Sequence, residues 1–153
     1  MPMDIKSKFM NRRVLIVGAI GAIAVGSIAW SEATKLPFKG DAISPSQAHE
    51  YATSGQIVLI DIRRPDEWNK TGSGQGASRL DMRRQDFITE LDKIVGGDRS
   101  KPVALICARG VRSNRMSQHL INAGYTNIID VPEGMLGSQA GPGWLKRGLP
   151  VVH

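Results

Sequence analysis

The stretch Val-Ala-Leu-Ile-Cys-Ala-Arg-Gly-Val-Arg-Ser, residues 103–113, joins four apolar residues to a cysteine and a short charged loop. Val103–Ile106 shows no alternation of apolar and polar residues, which is typical of a strand buried on both faces of a sheet. After the loop, residues 113–123 carry apolar side chains at helical spacing, and Gly124 ends that helix. The stretch therefore predicts a buried strand, a tight loop and a helix, with Cys107 at the carboxyl end of the strand.

Helices and strands alternate on both sides of this stretch. Ser44, Pro45 and Gln47 have the order of an N-cap, a first-turn proline and a capping box, which predicts a helix start. Apolar runs predict two more strands and one more helix, over residues 57–62, 127–131 and 87–95. This alternation predicts an α/β fold, a single domain over residues 42–153 with a mostly parallel sheet and helices on both faces. Ligands of such folds bind at the carboxyl ends of the strands, where Cys107 lies.

The loop after Cys107 is expected to stabilise negative charge. Its backbone N–H groups and the N-terminus of the following helix can converge on the sulfur, and Gly110 permits the left-handed turn this requires. Arg109 and Arg112 add full positive charges that favour the thiolate form. The pattern predicts a nucleophilic cysteine, and the alternative is a buried cysteine that serves only as a small apolar residue.

Composition excludes several kinds of protein and of site. The chain has 153 residues, a net charge of +6 and a single cysteine, so it forms no intrachain disulfide and no multi-cysteine zinc site. Residues 1–13 carry three of the six net positive charges, and aromatic residues make up only 5% of the chain. A mildly basic domain with few aromatics is not expected to bind nucleic acid. No metal and no cofactor are expected.

Residues 14–30 contain no charged side chain and follow the basic segment of residues 1–13. As a helix they would span about 25 Å, which is near the lower limit for a hydrocarbon core of about 30 Å. The charge asymmetry predicts an N-terminus in the cytoplasm and a domain anchored on the periplasmic or other extracytoplasmic side. A buried core helix is the alternative, although the segment lacks a polar face.

The same N-terminal segment also fits a cleaved export signal. Ser27 and Ala29 have the small-x-small pattern that a signal peptidase accepts, and cleavage there would release a soluble periplasmic domain. Arg12 and Arg13 resemble the pair of a twin-arginine signal, with a plain basic region as the alternative. Residues 31–41 mix small, charged and proline residues without periodicity, and are predicted to link this segment to the domain.

Three motifs of the chain resemble those of the rhodanese-like domains. The active loop of that family, Cys-x-x-Gly-x-Arg-Ser/Thr, corresponds to Cys107, Ala108, Arg109, Gly110, Val111, Arg112 and Ser113. Its pattern Asp-x-Arg-x-x-x-Glu-aromatic corresponds to Asp61, Arg63, Glu67 and Trp68, and its closing Trp-x-x-x-Gly-x-Pro-Val to residues 144–151. The resemblance covers residues 42–152 and departs from the family pattern at residues 72–77 and 133–142.

The resemblance implies a sulfurtransferase that works through a persulfide on Cys107. The sulfur would come from a small anionic donor such as thiosulfate and pass to cyanide or a thiol acceptor. Arg109 and Arg112 would bind the donor, and the loop amides would hold the persulfide, including those of Ala108, Gly110, Val111 and Ser113. Asp61, Arg63 and Glu67 would support the loops by hydrogen bonds, with a general base at Asp61 as the alternative.

Other functions remain open at this point. A rhodanese module can act as a non-catalytic sulfur carrier or as a docking domain for a partner. A cysteine phosphatase would need an arginine at position 113, where this chain has Ser113, while arsenate reduction is not excluded by that argument. The three histidines, His49, His119 and His153, show no reason to reach the thiol, which argues against a cysteine and histidine hydrolase.

Overall fold

The computed structural model of the chain describes residues 38–153. A five-stranded sheet lies at its centre, and its strands are β1 (Asp41–Ala42), β2 (Val58–Asp61), β4 (Ala77–Arg79), β5 (Val103–Ile106) and β6 (Ile128–Asp130). Their order is β1-β6-β5-β2-β4, and every neighbouring pair is parallel. Two short strands, β3 (Ser73–Gly74) and β7 (Val151–Val152), pair antiparallel beside it. The α/β class with a parallel sheet is therefore confirmed.

Four helices surround the sheet: α1 (Pro45–Thr53), α2 (Pro65–Thr71), α3 (Phe87–Val95) and α4 (Val111–Asn122). Successive strand residues point to opposite faces, and the core divides accordingly into two clusters. Val103 and Leu105 pack with buried residues of α3 and α4 on one face. Ala104 and Ile106 pack on the other face with α1 and the C-terminal segment that carries Trp144. Helices thus cover both faces, as the uniformly apolar run of β5 predicts.

The start of α1 shows how local sequence sets an element boundary. Ser44 Oγ accepts a hydrogen bond from the backbone N–H of Gln47 at 3.3 Å. The Gln47 Oε1 accepts in return from the backbone N–H of Ser44 at 3.0 Å. The predicted capping box is confirmed, with Pro45 in the first turn, where its missing N–H costs no hydrogen bond.

Two helices of the domain differ from the sequence-based expectation. Helix α4 begins at Val111 rather than near Ser113, because Gly110 takes a left-handed conformation (φ 82°) and the chain becomes helical directly after it. Arg112 and Ser113 therefore belong to the first helical turn and not to the loop. Helix α2 was not predicted, although Pro65 at its start and the acidic residues of its first turn are ordinary start signals.

The N-terminal predictions fall mostly outside the described residues. This applies to the basic segment 1–13, the apolar segment 14–30 and most of the link 31–41. Where the link is described, Asp41 pairs with Ile129 in the sheet and the Phe38 backbone N–H donates to Asn114 Oδ1 at 3.0 Å, so the domain contacts begin before Ala42. Within residues 38–153, no helix is long and apolar enough to cross a membrane.

Candidate active site around Cys107

Cys107 lies at the carboxyl edge of the sheet, one residue after β5. Only 1% of the residue is exposed. The chain turns sharply behind it at Gly110, where a Cβ atom would run into the backbone carbonyl of Pro132. The position therefore requires glycine for both its backbone conformation and its close contact.

The sulfur of Cys107 is surrounded by hydrogen-bonding groups of the loop and of α4. The backbone N–H groups of Gly110 and Ser113 donate to Sγ at 3.2 and 3.4 Å. The Ser113 Oγ lies 3.6 Å from Sγ, accepts from the thiol, and donates to the Gly110 carbonyl at 3.1 Å. Since both amides lie at the positive end of a twelve-residue helix, they stabilise negative charge on the sulfur.

A second segment, residues 132–136, supports the cysteine loop from the other side. The backbone N–H of Met135 donates to the Cys107 carbonyl at 2.8 Å, and that of Leu136 donates to the Ala108 carbonyl at 2.9 Å. This segment begins the part of the chain that departs from the family pattern. Backbone hydrogen bonds from this segment therefore hold the start of the cysteine loop.

Arg112 points to Glu67 of α2. Its Nη1 and Nη2 donate to the two carboxylate oxygens of Glu67 at 2.8 and 2.6 Å. These bonds hold the pKa of Glu67 below its usual range and raise that of Arg112. The sequence assigns Arg112 to the anionic donor and Glu67 to the support of the loops, and the structure pairs these two side chains with each other.

Arg109 is the loop arginine with an exposed side chain. Its only hydrogen bond among the described residues is a long one, 3.4 Å from Nη1 to the Gly137 carbonyl. Its guanidinium can therefore turn toward an incoming anion at little cost. Ala108 precedes it in the loop, Val111 begins α4 shortly after it, and the exposed Val111 side chain makes a small apolar surface there.

Asp61 and Arg63 form a fully buried ion pair at the end of β2. Arg63 Nε and Nη2 donate to the two Asp61 carboxylate oxygens at 2.9 and 2.7 Å. The remaining donors of Arg63 reach Thr71 Oγ1 at 2.9 Å and the Gly72 carbonyl at 2.7 Å. The pair thus ties the end of α2 to the central sheet, and the Asp61 carboxylate is too occupied to serve as a general base.

Sequence reasoning missed Asp130, the last residue of β6. Its register partner is Leu105, so it points to the face that carries α4. It is 2% exposed, and its Oδ1 has no hydrogen-bond partner among the described residues. Burial raises the pKa of Asp130, and the neighbouring Ser113 and Asn114 side chains oppose that shift. An acidic residue within an otherwise apolar predicted strand was the available signal.

Glu133 was also missed, and it organises the segment that follows. Its carboxylate accepts from Arg147 Nε and Nη2 at 2.8 and 2.7 Å and from the backbone N–H of Gly143 at 3.0 Å. These bonds hold the pKa of Glu133 below its usual range. Among residues 38–153, no three acidic, histidine or cysteine side chains lie together as a metal site would require.

Fold and site together define an α/β domain with a buried cysteine whose sulfur accepts hydrogen bonds from two backbone N–H groups of a strand-to-helix connection. Residues 44–140 match the rhodanese-like domain family, and the chain belongs to that family. A thiosulfate sulfurtransferase, GlpE, of Actinobacillus pleuropneumoniae is 28% identical over 109 residues, which cover 71% of this chain and 90% of that protein.

Solved structures share the fold. The polysulfide-sulfur transferase homodimer of Wolinella succinogenes superimposes with a TM-score of 0.60 at 26% identity, covering 84% of this chain and 88% of that one. A Rhodopseudomonas palustris protein described as a possible tyrosine phosphatase gives a TM-score of 0.55 at 19% identity, over 99% of both chains. The second likeness is a likeness of fold alone.

Proposed function

We propose that the protein is a sulfurtransferase that moves sulfane sulfur from thiosulfate or a related donor to cyanide or a thiol. The observation that carries this proposal is the convergence of two backbone N–H groups and the Ser113 hydroxyl on Cys107 Sγ. The activities of the Actinobacillus and Wolinella relatives support it. Since the chain has a single cysteine, the sulfur must leave with another molecule.

Each half of the reaction breaks one sulfur–sulfur bond as the outer sulfur forms a bond to its new carrier. The Cys107 thiolate attacks the outer sulfur of thiosulfate, the sulfur–sulfur bond of the donor breaks, and sulfite leaves with its electron pair. Cyanide or a thiolate then attacks the outer sulfur of the persulfide. The product is thiocyanate or an acceptor persulfide, and the Cys107 thiolate is released as the leaving group. The negative charge stays near Sγ throughout, where the amides of Gly110 and Ser113 stabilise it.

The test is the intact mass of the protein after incubation with thiosulfate and then with cyanide. A gain of about 32 Da, one covalently bound sulfur, should appear with thiosulfate and disappear with cyanide. Cys107→Ser should show no gain, and Ser54→Ala, an exposed change of similar size, should behave like the wild type.

Other outcomes separate the alternatives. Sulfur that loads but leaves only slowly would favour a carrier module. A wild type that gains no mass from thiosulfate or polysulfide would contradict the proposal, and turnover of an aryl phosphate by that same protein would favour a phosphatase.

We also propose that residues 14–30 direct the domain out of the cytoplasm, as an uncleaved anchor or as a cleaved signal. The support for this proposal is that residues 14–30 carry no charged side chain and directly follow the basic residues 1–13. Fractionation of cells that make the protein, with the intact mass of the recovered chain to locate its N-terminus, tests this. An intact chain in the membrane fraction or a chain that starts at Trp30 is expected, and an intact chain in the cytosol would contradict it.

A further inference from the structure

A cleft of about 290 Å³ lies beside the cysteine loop. One wall is formed by residues 63–71, which include α2, and the other by Leu136. A water molecule in the liquid occupies about 30 Å³, so the cleft has room for a small organic molecule. Its volume is at the lower end of the range for small-molecule sites, about 300–1,000 Å³.

Residues on both walls of this cleft form hydrogen bonds with residues 108–112, which follow Cys107. On one side, Glu67 lines the cleft and binds Arg112 through two hydrogen bonds. On the other side, Leu136 lines it and donates its backbone N–H to the carbonyl of Ala108. A molecule held in the cleft therefore lies next to the loop that would carry the persulfide.

The charges of the lining residues leave one cation without a partner. Arg63 is paired with the buried Asp61, Arg64 with Asp66, and Glu67 with Arg112. Lys70 is exposed and forms no ion pair with any residue in the described range 38–153. The cleft thus offers one free ammonium group.

Leu136 supplies the apolar part of the cleft. Leu136 is 43% exposed, which is high for a leucine next to a buried cysteine. Covering it would remove apolar surface from water. The ligand that fits has an anionic group for Lys70 and a short apolar stem for Leu136.

We infer that this cleft binds the sulfur acceptor and selects thiols that carry a carboxylate. Lys70 would bind the carboxylate, the carbon chain would pack on Leu136, and the thiolate would attack the outer persulfide sulfur on Cys107. That attack forms the sulfur–sulfur bond of the acceptor persulfide and releases the Cys107 thiolate. The inference rests on the proposed function and adds a class of acceptor and two residues that select it.

The test uses the full chain, loaded with thiosulfate and freed of donor, and measures its discharge by matched thiols. The probes are 3-mercaptopropionate, 2-mercaptoethanol and cysteamine, which are anionic, neutral and cationic. Lys70→Ala should raise the half-saturating concentration of 3-mercaptopropionate about fivefold, since an exposed ion pair contributes up to about 1 kcal/mol. It should leave 2-mercaptoethanol unchanged, and Lys70→Glu should favour cysteamine.

Lys101→Ala is the matched control, because Lys101 is an exposed lysine near the amino end of β5, at the opposite edge of the sheet. Leu136→Ser should weaken 3-mercaptopropionate and 2-mercaptoethanol alike. Equal effects of Lys70→Ala and Lys101→Ala, or unchanged acceptor preference in Lys70→Glu, would overturn the inference while loading by thiosulfate still supports the sulfurtransferase. A wild type that never loads would overturn both.

Discussion

At the scale of single residues, Asp130 is a buried carboxylate that forms no ion pair among residues 38–153. It lies at the end of the strand beside the cysteine strand, with one carboxylate oxygen unpartnered among residues 38–153. A buried carboxylate of this kind is more stable when protonated, which agrees with the raised pKa. Ser113, whose side chain influences the pKa of Asp130, also contacts the reactive sulfur.

Asp130→Asn is expected to change how stability depends on pH. Because the pKa of Asp130 is higher in the folded chain than its ordinary value of 3.8, the wild type loses stability as pH rises from about that value through the folded pKa. Asparagine does not titrate, so the free energy of unfolding of the variant minus that of the wild type should increase between pH 4 and pH 7. Urea unfolding at several pH values measures this difference, and a difference that stays constant or decreases would contradict it.

At the scale of elements, the joint between β5 and α4 depends on Gly110. Gly110→Ala should cost stability twice, through its left-handed backbone (φ 82°) and through the contact of the new Cβ with Pro132. Gly55→Ala is the matched control, since its φ is 76° but nothing lies within 4 Å of its Cβ position. We expect about 1–2 kcal/mol for Gly55→Ala with full sulfur loading.

For Gly110→Ala we expect a larger loss and a defect in loading, because the amide of residue 110 no longer points at Sγ. Denaturant unfolding and the mass gain with thiosulfate measure both effects. If the two alanine variants lose equal stability and load equally, the loop does not depend on this close contact.

The elements also differ in how far sequence could predict them. The β5 and α1 predictions hold because a uniformly apolar run and a capping box are local signals. Strand β4 escaped prediction because its residues, Ala77–Arg79, are small or polar and partly exposed, and pairing with β2 creates the strand. Its register is a tertiary contact that no local pattern reports.

In the candidate site, too, local features could be predicted from the sequence and contacts between distant residues could not. Cys107 and its loop followed from one contiguous stretch, whereas the ion pair of Arg112 with Glu67 joins residues 45 positions apart. Two arginines of one loop look alike in sequence, and only the fold shows that one of them is already neutralised. Charge pairing between distant elements was therefore the part of the site that sequence reasoning could not assign.

At the scale of the whole molecule, one central sheet separates two apolar clusters, and both contribute to placing the cysteine. Cys107 belongs to the cluster with α3 and α4, while the neighbouring Ile106 belongs to the cluster with α1 and Trp144. A disturbance of either face is therefore transmitted to the loop through adjacent residues of one strand. This arrangement explains why a loop with few side-chain contacts can keep a defined geometry.

The burial of the only thiol makes the chain a natural reporter of its own fluctuations. With 1% of Cys107 exposed, a bulky maleimide has to wait for the loop to open before it reacts. Its labelling rate divided by that of a free thiolate gives the fraction of time that the loop spends open, with no background from other cysteines. The same reaction, followed against denaturant, distinguishes local breathing of the loop from global unfolding.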